Sequence, residues 1–113
     1  MKNLAKNIYR QRLVIEGTMP DLITDVDIKD YLSKLSDLLN MTTLIEPVTH
    51  QSPLYGWAGW IHWETSGAHF YAWDQPVQFF SVDIYTCKKF SEKEAVKFTK
   101  NYFNADKIAN KSF

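Results

Sequence analysis

Two short aromatic segments, Trp57–Glu64 and Ala68–Trp73, are separated only by Thr65-Ser66-Gly67. Each is too short for a stable helix and is rich in residues that favour a pleated, half-buried surface, so the pair predicts two antiparallel strands joined by a hairpin through Thr65-Ser66-Gly67. Side chains alternate across a strand, which sends Ala68, Phe70 and Ala72 to one face and His69, Tyr71 and Trp73 to the other. After Asp74-Gln75-Pro76, the segment Gln78–Cys87 repeats the pattern, with Phe80, Val82 and Ile84 on one face and Phe79, Ser81, Asp83, Tyr85 and Cys87 on the opposite one. The second face sets a carboxylate, a phenol and a thiol in line. All four tryptophans, Trp57, Trp60, Trp63 and Trp73, lie in this block. Rings of this size are expected in a core or subunit interface, with a ligand-stacking wall as the competing reading.

The remaining elements are predicted around this antiparallel centre. Leu13 and Ile15 alternate with Arg12, Val14 and Glu16, giving a first strand over Gln11–Gly17, followed by a loop over Thr18–Asp21. Apolar residues at Ile28, Tyr31, Leu32, Leu35, Leu38 and Leu39 have the spacing of one buried helix face, and Thr24-x-x-Asp27 supplies a variant of the capping box. Met41–Thr49 predicts a strand that Pro47, lacking a backbone donor, confines to a sheet edge or a bulge. Ser52–Gly56 reads as a turn. Ser91-Glu92-Lys93-Glu94 opens a second amphipathic helix carrying Ala95, Phe98, Tyr102 and Phe103 and ending near Asn104, and Lys107–Asn110 forms a last short strand. The Met1–Ile8 segment is polar and expected to fray. The order predicts an α+β fold: a two-layer α/β sandwich with a mostly antiparallel sheet and both helices on one face, in a single domain over residues 1–113.

Composition removes several classes of function. Thirteen basic residues balance 13 acidic ones, so nothing marks a nucleic-acid or anionic-membrane partner. No apolar run approaches the roughly 20 residues needed to span a bilayer, and the start of the chain lacks the apolar core of a signal peptide. Cys87 is the sole cysteine and has no internal disulfide partner, which predicts a cytoplasmic protein.

The stretch from Tyr55-Gly56-Trp57-Ala58-Gly59 through Thr65-Ser66-Gly67-Ala68-His69-Phe70-Tyr71-Ala72-Trp73, followed by Val82-Asp83-Ile84-Tyr85-Thr86-Cys87, resembles the central segment of the prokaryotic S-adenosylmethionine decarboxylases. That family carries Tyr-Gly-x-Ser-Gly, Glu-Ser-His, Ile-His-Thr-Trp and Val-Asp-Ile-Phe-Thr-Cys in the same order. The similarity runs from about Arg12 to Ile108. In the family, a serine attacks the preceding carbonyl, the ester eliminates, and the new chain start carries a pyruvoyl group that acts as the electron sink for decarboxylation. The resemblance implies that Ser66 matches this serine and that Cys87 matches a proton-donating cysteine. It also implies S-adenosylmethionine as a ligand and a homodimer, or a partnership with a related subunit, linked to polyamine metabolism.

The departures shape the functional expectation. Ala58 replaces the assisting turn serine, Tyr71 replaces the histidine of the Ile-His-Thr-Trp strand, Thr65 replaces glutamate and Gly67 replaces the following histidine. Proton transfers that the chemistry requires thereby lose their groups. Ser52 stands where the family has an aromatic residue stacking on the nucleoside, a loss of about 1 kcal/mol in binding. The expected protein is a divergent homologue that is neither self-processed nor catalytically active and needs no cofactor, keeping a small-molecule cleft at Ser66, Tyr71, Asp83 and Cys87 or acting as a partner subunit. The alternative is an active pyruvoyl-dependent decarboxylase of S-adenosylmethionine or another amino acid, its pyruvoyl group made from Ser66, with His69 or Tyr71 replacing the missing histidine.

Two further readings concern single residues. Tyr71, Asp83 and His69 are the candidate substrate-binding side chains. A carboxylate between Val82 and Ile84 needs a partner, expected to be a nearby hydroxyl or backbone amide if it is not a ligand. His50, His62 and His69 with Glu64 or Asp83 offer zinc-type ligands, but their spacing matches no metal signature, so no metal site is expected.

Overall fold

The computed structural model describes residues 3–113. Met1 and Lys2, part of the segment expected to fray, lie outside the described residues. From Asn3 onward that segment is held locally, with the Ile8 N–H donating to the Ala5 carbonyl at 3.0 Å and Arg10 reaching the Asn3 side chain.

Among the described residues the chain forms β1 (Gln11–Thr18), α1 (Asp25–Leu38), β2 (Thr43–Gln51), β3 (Trp57–Trp63), β4 (Ser66–Trp73), β5 (Phe79–Thr86), α2 (Glu92–Phe103) and β6 (Lys107–Ser112). The six strands make one sheet in the order β2-β3-β4-β5-β1-β6, and every adjacent pair is antiparallel. Both helices cover the same face, since Leu13, Ile15, Ile61, Trp63, Phe70, Phe80, Val82 and Ile84 from the sheet share one buried core with Ile28, Tyr31, Leu32, Leu35, Ala95 and Phe103 from the helices. The predicted α+β sandwich is therefore the observed one.

Local chemistry places the helices. The Thr24 side chain accepts the Asp27 N–H while Asp27 accepts the Thr24 N–H, a reciprocal cap that starts α1 three residues earlier than its first buried residue. Leu38, expected on the buried face, is 38% exposed whereas Leu39 is 5% exposed. At about 100° per residue Leu38 falls roughly 80° from Ile28 and Leu39 only about 20°. Asn104 ends α2 in the left-handed conformation at φ 49°. Gly59 lets α1 approach the sheet, because a Cβ there would lie 2.2 Å from Cγ2 of Ile28.

Buried polar groups pair across the layers. The Trp63 indole N–H donates to the Ser36 hydroxyl at 2.7 Å, and that hydroxyl donates to the Leu32 carbonyl at 2.7 Å. Tyr31 and Thr99 share a 2.7 Å hydrogen bond between the helices. Tyr102 donates to the Asp30 carboxylate at 2.6 Å, and Lys34 lies 3.0 Å from the same oxygen.

The Tyr102 hydroxyl, then Lys34, holds the Asp30 carboxyl below the ordinary carboxylate range. A carboxyl whose folded value is depressed contributes stability that is present above its unfolded value and is lost as pH falls through the folded one. Acid titration of stability should therefore show Tyr102→Phe losing less stability than the parent below about pH 4. An unchanged acid limb would contradict this coupling.

Pro47 sits on edge strand β2, and the β2–β3 register shifts between Thr43 and Ile45 and again between Ile45 and Val48, so the edge and the irregularity expected of it both occur. The hairpin differs from expectation. Trp63 pairs with Ser66, leaving Glu64 and Thr65 as the two-residue loop, and Ser66 and Gly67 belong to β4. The loop is held from both sides: the Glu64 N–H donates to the Thr42 carbonyl at 2.9 Å and the Cys87 N–H donates to the Thr65 carbonyl at 3.0 Å.

Candidate functional site

The sheet face away from the helices is open. On it the β3–β4–β5 register sets two adjacent rows: His62 opposite Gly67 opposite Tyr85, and Trp60 opposite His69 opposite Asp83. Because Gly67 has no side chain, the first row has a gap between an imidazole and a phenol. A shallow concavity of about 330 Å³ occupies it, lined by Trp60, His62, Ser66, His69, Asp83 and Tyr85 along with Gly67 and Ala68. The indole of Trp60 lies 6.1 Å from the His62 ring and 6.3 Å from the His69 ring.

Gly67 is required at this point by the backbone. A Cβ there would lie 2.3 Å from the Ile61 carbonyl oxygen. The neighbouring Ser66 has φ 135°. That conformation is rare for a residue with a side chain and stores on the order of 1–3 kcal/mol of strain.

The expected site residues divide between two places. Ser66, His69 and Asp83 come together around the concavity. Tyr71 lies one pleat further along β4, opposite Ala58 and Ser81, with its ring 5.8 Å from His69, and does not line the concavity. Cys87 is exposed just beyond β5 and touches the site through its backbone N–H on the Thr65 carbonyl. Ser52 lies in the turn at the other end of seven-residue β3, about 20 Å of strand from Ser66, so this chain does not bring the two together.

Asp83 finds a partner that the sequence did not reveal. Its carboxylate accepts two hydrogen bonds from the Arg12 guanidinium, Nε at 3.0 Å and Nη2 at 2.8 Å, in place of the expected hydroxyl or amide. Asp83, by hydrogen bond and then by charge, raises the guanidinium pKa above its ordinary value. The Phe113 ring lies 4.6 Å from the guanidinium carbon. The pair is partly exposed, so solvent screens its contribution to stability, but it fixes the carboxylate at the rim beside a positive charge.

Among the described residues no hydrogen bond involves the Ser66 hydroxyl, and the Thr65 hydroxyl is taken by Thr86 at 2.9 Å. A pyruvoyl group formed at Ser66 needs a base to take the serine proton, and no described residue is bonded to that hydroxyl. Nor does the face gather a metal site: His50 is opposite Ala58 on β2, apart from His62 and His69, and among the described residues no group of three His, Cys, Asp or Glu side chains suits an ion.

The tryptophans are split by function. Trp63 is fully buried, Trp57 packs partly against the core, Trp60 lines the concavity, and Trp73 lies near the opposite end of the hairpin. Trp60, His62 and Tyr85 line the concavity without being expected from sequence as ligand contacts: the sequence offers His62 only as a metal ligand, Tyr85 only as a phenol on the Asp83 face, and Trp60 only as one of the clustered rings. Strand alternation puts them on the face opposite Ile61 and Ile84, but only the registers between strands bring them together.

The architecture is thus a six-stranded antiparallel sheet with both helices on one face and Ser66 opening β4 directly after the hairpin loop. The chain matches the S-adenosylmethionine decarboxylase family over residues 13–113 and belongs to that family. In fold it is similar to the crystal structure of the adenosylmethionine decarboxylase from Aquifex aeolicus VF5, with a TM-score of 0.79 and 18% identity, over 94% of this chain and 89% of that one. Comparison with curated proteins finds no match. Among the described residues, no helix is long and apolar enough to cross a membrane.

Proposed function

We propose that this protein is an unprocessed, catalytically silent member of its family that binds a small molecule in the concavity beside Ser66. The observation that carries the reading is the unengaged Ser66 hydroxyl. The positions that would serve it by resemblance hold Ala58, which has no proton to transfer, and Tyr71, which lies outside the concavity. Aromatic walls with a few polar groups are what a small-molecule site offers. Since Arg12 neutralises Asp83, the site holds no free carboxylate for a sulfonium cation, and S-adenosylmethionine binding should be weak. The open sheet face, with Tyr71 40% and Tyr85 44% exposed, supports a homodimer or a complex with a related subunit in cytoplasmic polyamine metabolism.

Calorimetric titration with S-adenosylmethionine should give a dissociation constant in the millimolar range, weakened several-fold by Trp60→Leu, with no carbon dioxide released. Tight binding accompanied by carbon dioxide would contradict the proposal. One geometric fact favours the active alternative. The Thr65 carbonyl, which Ser66 would attack, already accepts the Cys87 N–H at 3.0 Å, and such a donor stabilises charge developing on that oxygen.

A further inference from the structure

All three histidines of the chain lie on the open face of the sheet. His69 and Tyr71 alternate with the buried Ala68, Phe70 and Ala72 on β4, and His62 stands between the buried Ile61 and Trp63 on β3. His50 on edge strand β2 pairs with Ala58, the cross-strand partner of Tyr71, and so shares their face. Around them the same face carries exposed Ile45 and Val48, opposite His62 and Trp60, and exposed Tyr71 and Tyr85. Six strands spaced about 4.8 Å apart, most of seven to nine residues, present a face of roughly 700 Å². That is close to the roughly 800 Å² per partner of a stable protein interface, and a second copy of the chain offers a surface of equal size and the same aromatic character.

No carboxylate is paired with these imidazoles among the described residues, where the ion pairs are Arg12–Asp83 and Lys34–Asp30. His69 stands opposite Asp83, whose carboxylate is taken by Arg12. His62 faces Gly67 and, beyond it, Tyr85, while His50 faces Ala58. The other charged groups that the registers place on this face are Glu16 on β1 and Lys107 and Lys111 on β6. With neutral imidazoles, the cations Arg12, Lys107 and Lys111 therefore stand against the carboxylates Asp83 and Glu16. Every proton gained by a histidine adds to the cationic excess.

We infer that the open face is an interface between two copies of this chain that forms while His50, His62 and His69 are neutral and releases as they gain protons. The inference deepens the assembly proposed above and rests on it. Imidazole is the side chain that ordinarily changes charge between about pH 5 and 8. Covering a charged imidazole that has no carboxylate partner costs its hydration, and two copies of this face bring like charges together. Assembly is therefore favoured above that range and lost as pH falls through it, because the separated copies bind more protons than the pair.

The test is sedimentation equilibrium of the whole protein at about pH 7.5 and about pH 5.5, at constant ionic strength, with near-ultraviolet circular dichroism following the tryptophans. The dissociation constant of the dimer should rise about tenfold or more at the lower pH while the dichroism is unchanged. Replacing the histidines together, His50→Gln, His62→Gln and His69→Gln, should abolish that rise. Equal dissociation constants at the two pH values, or a rise that survives in the triple variant, would overturn the inference and leave the assembly standing. Loss of the dichroism at the lower pH would assign the dissociation to unfolding and overturn it too. A triple variant that no longer assembles at the higher pH would also contradict it, since glutamine keeps a neutral hydrogen-bonding side chain. A parent protein that is monomeric at both pH values would overturn the assembly itself, and the inference with it.

Discussion

Replacing Trp63 with alanine should lower the unfolding free energy by about 3–5 kcal/mol, the range for a large aromatic side chain removed from a core. Trp63 is completely buried and is the largest such side chain among the described residues. The substitution removes the ring and leaves a space beneath α1, whose Ser36 bonds the indole and is anchored in its helix. A domain of this size carries about 5–15 kcal/mol in total, so the variant should be partly unfolded or close to it. Its polar half can be measured separately. Ser36→Ala leaves the indole N–H without its 2.7 Å acceptor, a cost of about 1–3 kcal/mol. Urea titration should show both variants with a lower midpoint and an unchanged slope. A loss below about 1 kcal/mol for Trp63→Ala would mean that the ring is not packed as described.

The second large effect is expected at Gly67, where the family resemblance places a histidine. Gly67→Ala should cost about 2–3 kcal/mol, because the new Cβ meets a backbone oxygen, 2.3 Å away on Ile61, that cannot move without disturbing the β3–β4 ladder. Gly67→His should cost at least as much and should also fill the gap between His62 and Tyr85. Gly59→Ala is the useful contrast: its Cβ would meet the Ile28 side chain at 2.2 Å, so a helix shift or a new rotamer can relieve part of the clash. Thermal unfolding should therefore rank Gly67→Ala below Gly59→Ala. The reverse order would place the rigid contact at the helix rather than the hairpin.

Much of this fold is legible because local and long-range requirements agree. The alternation over Ala68–Trp73 and Phe79–Cys87 predicts the buried faces residue by residue, since the whole sheet buries one face only. Thr24, Ser91 and Asn104 mark helix ends through bonds made within a few residues. The hairpin loop was misplaced because its glycine is required by a close approach to Ile61, a contact invisible to turn statistics. The site was harder to read than the fold. Ser66, His69 and Asp83 are legible as polar residues on strand faces, but Arg12 reaches Asp83 across 71 positions of sequence, and only the β1–β5 register brings them together. Trp60 and His62 likewise join His69 and Tyr85 through registers that no single segment encodes.

Intact mass spectrometry of the purified protein tests the central claim most directly. An unengaged Ser66 hydroxyl predicts one chain of 13.2 kDa with the Thr65–Ser66 bond whole. Two fragments divided at that bond, the second beginning with a pyruvoyl group at position 66, would contradict it and identify the protein as a working decarboxylase.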